Sequence, residues 1–126
     1  MILADTDVMI DHFAGRQPGR ARIIEYLQTR QLQTTAINYF ELLSGAAGER
    51  ANEARQFLAA IPVLPLDREA ADRAADLRRE LERKGEYIGM PDSLIAGLAL
   101  TRALPVFTRN RRHFERVPNL KVILPE

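Results

Sequence analysis

Ile2-Leu3-Ala4-Asp5-Thr6-Asp7-Val8-Met9-Ile10-Asp11 is the stretch on which the reading of the chain turns. Ile2 to Ala4 is a short apolar run of the kind that forms a buried strand, and it leads directly into three carboxylates. No Lys or Arg precedes Arg16, so nothing close in sequence neutralises them. Carboxylates gathered at the end of a buried strand repel one another. Such a group either caps a helix or binds a divalent cation, and the choice depends on whether other acids join it.

Outward from this stretch, short apolar runs alternate with helical patterns. Asp7 to Phe13 reads as a short helix. Ile23, Ile24 and Leu27 mark one face of a second, running to about Gln31. Leu32 to Thr35 is a β-prone run, and Thr34 and Thr35 are good caps for a helix from Ala36 to about Ala47. A helix from Glu49 to Ala60 turns Ala54, Phe57, Leu58 and Ile61 inward. Pro62 to Leu66 is a strand bounded by prolines.

Asp67 caps a long helix whose buried stripe is Ala70, Ala74, Leu77 and Leu81, with Glu69–Arg73 and Glu80–Lys84 as outer pairs. Gly85 ends it. Pro91 opens a helix to about Arg102 that is apolar almost all round, hence central. Pro105 to Thr108 is a strand, Asn110 to Phe114 a helical turn, and Leu120 to Leu124 a last strand. The alternation predicts an α/β fold: a mostly parallel sheet of four to five strands, covered by helices on both faces. In such sheets functional groups gather beyond the carboxyl ends of the strands.

The 126 residues, without linker, repeat or low-complexity tract, predict one domain spanning 1–126. There is no cysteine, which excludes disulfides, thiol chemistry and Cys-based zinc sites. The net charge of +1 makes no overall case for nucleic acid or membrane binding. No signal peptide and no apolar run of about 20 residues is visible, so the expected location is the cytoplasm, with no membrane contact.

Two further elements supply acids. Glu41 lies between Phe40 and Leu42, with no Lys or Arg within a helical turn, and is costly to bury unless something satisfies it. Asp92 is the only acid of the apolar helix and sits in its first turn. Singly, Asp5, Asp7 and Asp92 are comfortable as helix-terminal residues. Jointly, acids on separate elements favour a metal site. Oxygen ligands suit Mg²⁺ or Mn²⁺ rather than zinc, and an oxygen-only site suits phosphate chemistry. His12 and His113 stand alone and read as structural or surface residues.

Four stretches carry a resemblance: Asp5-Thr6-Asp7-Val8-Met9-Ile10, Glu41-Leu42-Leu43-Ser44-Gly45, Ile88-Gly89-Met90-Pro91-Asp92-Ser93-Leu94-Ile95-Ala96, and Thr108-Arg109-Asn110-Arg111-Arg112-His113-Phe114. In this order and spacing the chain resembles PIN-domain ribonucleases of the VapC type, the toxin half of toxin–antitoxin pairs. The resemblance implies an α/β/α sandwich and Mg²⁺- or Mn²⁺-dependent cleavage of RNA phosphodiester bonds by a metal-activated water. Asp5, Glu41 and Asp92 match the family's metal-binding acids, Thr6 the hydroxyl residue beside the first, and Thr108 the polar residue at the end of the fourth strand. Many members carry a fourth acid where this chain has Asn110, whose amide oxygen can ligate a metal or orient a water without adding charge. Asp7 or Asp11 are the nearest substitutes for that charge.

The resemblance also implies an RNA substrate (commonly a transfer RNA), a small VapB-type antitoxin and a homodimer. The apolar surplus of Ile37, Tyr39, Phe40, Leu42, Leu43, Phe57 and Leu58 either forms an antitoxin groove or thickens the core. From Arg102 to Lys121 six basic residues face a single acid, Glu115. Arg109, Arg111 and Arg112 are the expected phosphate contacts, while Arg116 and Lys121 read as solvated surface. Two other readings compete. Asp5-Thr6-Asp7 is similar to the nucleophile motif of haloacid-dehalogenase-like phosphatases, though such enzymes need a longer chain. A non-catalytic binding module of the same fold is favoured only by Asn110.

Overall fold

The computed structural model describes residues 1–126. Five strands form one sheet in the order β3-β2-β1-β4-β5: β1 is Ile2–Ala4, β2 Leu32–Thr35, β3 Val63–Leu64, β4 Val106–Phe107 and β5 Val122–Ile123. Every pairing is parallel, as the alternation of strands and helices requires. The central strand is the one that carries the carboxylates at its end.

The pleat of β1 sends alternate side chains to opposite faces. Ile2 and Ala4 join Leu32 and Phe107 in one core, and Leu3 joins Val106 in the other. The first core is closed by α1 (Thr6–Ala14), α2 (Gly19–Gln28), α3 (Ala36–Ser44) and α4 (Glu49–Ala59), through Val8, Met9, Ile23, Leu42, Ala54 and Leu58. The second is closed by α5 (Arg68–Arg83), α6 (Met90–Arg102) and the single turn α7 (Arg111–Phe114), through Leu77, Leu81, Ile95, Ala99 and Phe114. The result is the three-layer α/β/α sandwich expected. The reversal has a topological cause. From β1 to β2 to β3 the chain steps outward in one direction, and from β3 to β4 to β5 it returns in the other. Right-handed crossovers then place the two sets of helices on opposite faces.

The buried stripe of α5 is as predicted: Ala70, Ala74, Leu77 and Leu81 are all buried. Helix α6 crosses it at Gly97. A Cβ there would meet Ala74 Cβ and Ala74 N at 2.8 Å and the Ala70 carbonyl oxygen at 2.9 Å, so only glycine admits this approach. Of the two outer pairs expected on α5, Lys84 lies 3.5 Å from Glu80, whereas Glu69 and Arg73 make no ion pair. Helix α3 stops at Ser44 rather than Ala47, because Gly45 caps it and leaves Ala46 and Ala47 outside.

Candidate active site

The loops leaving β1 and β4 diverge, α1 to one face and α7 to the other, and open a crevice at the carboxyl ends of adjacent strands. Such a switch point is where open α/β sheets place their chemistry. Asp5 ends β1 and caps α1, and Thr108 follows β4. The Thr108 hydroxyl donates to Asp5 Oδ2 at 2.7 Å, which closes the two strand ends onto each other.

Asp5 is only 7% exposed, and every partner it has is neutral. Its Oδ1 accepts from the Thr6 amide at 2.9 Å and from Asn38 Nδ2 at 3.0 Å. No cationic side chain reaches it. Burial, reinforced by the charge of Asp7 and to a lesser degree that of Asp92, pushes its carboxyl from 3.8 up to about 7, against the hydrogen bonds from Thr108 and Thr6. Asp7 is also raised, again chiefly by burial, although the Arg109 amide donates to its Oδ2 at 3.1 Å. A charge cluster this uncompensated is a site that wants a cation.

Glu41 and Asp92 approach from the flanks. Glu41 Oε1 accepts the Thr6 hydroxyl proton at 2.7 Å, and this is what satisfies it. It is half-buried rather than buried. Its neighbour Phe40 is 70% exposed, so the expectation of a carboxylate clamped between two core residues is corrected: only Leu42 is core. Asp92 lies in the first turn of α6, which begins after Gly89 at φ +94°. Its Oδ2 receives His113 Nδ1 at 2.7 Å and Asn110 Nδ2 at 3.3 Å.

Three expectations need correction. Asn110 does not offer its amide oxygen to the centre: Oδ1 caps α7 by accepting from the His113 amide at 3.3 Å, and the NH₂ faces Asp92. His113 is not a bystander, since its Nδ1 lies 2.7 Å from Asp92 Oδ2 and, with that carboxylate ionised, is the donor of the pair. Of the arginines, Arg109 Nε is tied to buried Asp11 at 2.7 Å and Arg111 is paired with Glu115. Arg112 alone of the three stands exposed with no anionic partner. Asp11 is held by Arg109 and, at 3.3 Å, by Arg16, so it is spent as a structural anion and does not stand in for a fourth acid. His12 packs against the rings of Phe13 and Phe57, which also touch each other, in the structural role expected.

The residue the sequence reading missed is Asn38. It is fully buried in the first turn of α3 and touches Asp5, Thr6 and Thr35. A signal was present. Asn38 lies three residues after the N-cap Thr35, where a capping box has Glu or Gln, and three before Glu41, on the same face of the helix.

As arranged, no three acidic or histidine side chains enclose a common metal position. The donors nonetheless fit a hard divalent cation. Asp5, Asp7, Glu41 and Asp92 supply carboxylate oxygens; no cation of the protein's own acts on Asp5, and on Asp7 only Arg109 does, too weakly to offset burial. Asp5, Glu41 and Asp92 are the residues that would hold it.

Comparison with known proteins agrees with this geometry. The PIN domain family model matches residues 2–120, so the chain belongs to the PIN-domain family. Within that family its place is among the VapC-type toxins. A tRNA(fMet)-specific endonuclease VapC of Salmonella typhimurium is 37% identical over 101 residues, 76% of each chain. Ribonuclease VapC10 of Mycobacterium tuberculosis is 32% identical over 96% of this chain and 91% of its own length. Among solved structures, DNA-bound VapBC from Salmonella typhimurium superposes with a TM-score of 0.84 at 28% identity, over 100% of both chains.

Proposed function

We propose that this chain is a Mg²⁺- or Mn²⁺-dependent endoribonuclease, the toxin of a toxin–antitoxin pair acting in the cytoplasm. The observation that carries the metal-dependent reading is the crowding of Asp5 and Asp7, both raised by burial, with Asp92 adding its charge and no cationic side chain on Asp5.

A bound Mg²⁺ or Mn²⁺ supplies neutralising charge to the scissile phosphate and lowers the pKa of the attacking water. The chain's own groups do the rest. Asp5, Glu41 and Asp92 would hold the ion. Thr108 and Thr6 fix the directions of Asp5 and Glu41, and His113 with Asn110 fixes that of Asp92 through its Oδ2. Arg112 is free to meet the RNA backbone. Attack of water on phosphorus breaks one P–O bond and passes a proton to the departing ribose oxygen. The products are a linear phosphate end and a hydroxyl end.

A transfer RNA is the preferred substrate class, in line with the specificity named for the Salmonella relative. The partner is a small VapB-type antitoxin, since VapBC complexes are among the structural neighbours. An open apolar hollow of about 370 Å³ beside Glu41, walled by Ile37, Phe40, Leu66, Met90 and Leu94, suits an apolar protein segment or the second copy of a homodimer. Incubation of total RNA with the purified chain tests the proposal. Discrete fragments that require Mg²⁺ or Mn²⁺ and vanish with Asp92→Asn are expected. No cleavage by folded, antitoxin-free protein in any RNA pool would favour a non-catalytic module.

A further inference from the structure

The direction of every hydrogen bond around Asn38 follows from proton bookkeeping. Thr35 Oγ1 accepts from the Asn38 backbone amide at 3.1 Å, which is the helix cap. Its own proton then goes to Asn38 Oδ1 at 2.6 Å. This identifies Oδ1 as the atom facing Thr35 and turns the NH₂ toward the acids. One Nδ2 proton goes to Asp5 Oδ1 at 3.0 Å, the other to Thr6 Oγ1 at 2.9 Å. Because Thr6 Oγ1 accepts there, its single proton is left for Glu41 Oε1 at 2.7 Å. The relay runs Thr35, Asn38, Thr6, Glu41, with a branch to Asp5, and it has one polarity.

A purely local role does not account for this. The cap needs only the Asn38 backbone amide and the Thr35 hydroxyl. In a capping box the side chain three residues in reaches back to the N-cap amide, whereas here its NH₂ points to Asp5 and to the Thr6 hydroxyl that holds Glu41. A fully buried Asn also needs all its partners.

We infer that Asn38 is a positioning residue of the centre: its amide holds Asp5 directly and Glu41 through Thr6, and so sets the spacing of two of the three ion-binding carboxylates. The inference rests on the metal-dependent nuclease reading above. Without the Asn38 donor, Thr6 is free to turn its proton elsewhere. Glu41, half-buried and with no other side-chain hydrogen bond, then relaxes into solvent.

The test uses the full chain in six forms: wild type, Asn38→Ala, Thr35→Val, Thr35→Ser, Thr6→Val and the Asn38→Ala/Thr6→Val double variant. Mn²⁺ affinity is read without RNA, from the free-ion electron paramagnetic resonance signal. Cleavage is resolved into kcat and KM, and urea unfolding reports the fold. Asn38→Ala is expected to lower both Mn²⁺ affinity and kcat by ~10–100-fold, as outer contacts of metal ligands do. KM for RNA should stay within about twofold, since Asn38 is buried away from substrate. Thr35→Val keeps every atom that touches the acids but releases the amide to rotate, so a smaller loss in the same two quantities follows, and Thr35→Ser restores both. The Asn38→Ala/Thr6→Val double variant should be no worse than the worse single, because both break one relay.

Folded Asn38→Ala and Thr35→Val with wild-type Mn²⁺ affinity and kcat, or with losses confined to urea stability, would overturn the positioning role while leaving the nuclease intact. If Asn38→Ala does not fold, Thr35→Val decides alone. A wild-type chain that neither binds Mn²⁺ nor cleaves RNA overturns the nuclease reading and this inference with it.

Discussion

Replacing Asp5 by Asn should make the metal-free protein more stable at pH 8, and leave it about as stable at pH 3.5. The sign follows from linkage. Asp5 holds its proton up to about pH 7 when folded and only to 3.8 otherwise, so across that window the native state binds more protons than the unfolded chain. Stability conferred by the neutral carboxyl is therefore present below 3.8 and is lost as pH rises to about 7. At about 1.4 kcal/mol for each tenfold change in proton affinity, the interval from 3.8 to about 7 sets a ceiling of about 4 kcal/mol. The amide fits the site. Its oxygen keeps the donors Thr6 and Asn38, and its NH₂ meets Thr108 Oγ1, whose proton turns to Asp7 Oδ2 at 3.3 Å. A gain of about 2–4 kcal/mol at pH 8, read by urea unfolding in EDTA, is expected within that ceiling. Equal stability of the two proteins at pH 8, or the same gain at both pH values, would refute the account of Asp5 as a buried, repelled charge.

The same physics reverses with an ion present. Mn²⁺ at 100 times its dissociation constant should stabilise the wild type by about 2.7 kcal/mol at pH 8, and thermal melting should show this increment vanish in Asp92→Asn. Arg109→Gln leaves buried Asp11 with Arg16 alone, so urea unfolding should show a loss of about 1–3 kcal/mol, whereas Arg112→Gln should leave stability unchanged. Arg112→Gln should weaken RNA binding and reduce the slope of its salt dependence by about 1, read by filter binding across a salt series. Gly97→Ala should lose about 1–3 kcal/mol, because its Cβ would sit 2.8 Å from Ala74, and a calorimetric melt checks this.

The fold was readable where local chemistry and tertiary packing agree. The stripe of α5, the caps Thr35 and Asp67, and the apolar α6 each specify an element without help from elsewhere. Boundaries were less readable. Leu66 belongs to an apolar run and yet is exposed, because pairing with β2 ends at Leu64. Tyr26 was absent from the predicted face of α2 although it is buried, its ring set edge-on to Phe107 and its hydroxyl reached by Arg22.

In the site, acids stood out because charges beside apolar strands are costly and few in number. Asn38 and His113 did not, because a single amide or imidazole is ordinary anywhere in a chain. Their meaning comes from what the sheet brings to them, Asp5 from β1 and Asp92 from α6. The arginines failed for the converse reason. Arg109 and Arg111 read as free positive charge, but the anions that engage them are Asp11, distant in sequence, and Glu115, one helical turn away.

The most direct measurement is the chemistry of the RNA ends made by the purified chain, with Mn²⁺ and with EDTA. Attack by water predicts linear phosphate and hydroxyl ends, formed only with the divalent ion and absent with Asp5→Asn or Asp92→Asn. Cyclic 2′,3′-phosphate ends formed equally in EDTA would mean attack by the ribose hydroxyl without a metal, and would contradict the role assigned to the three acids.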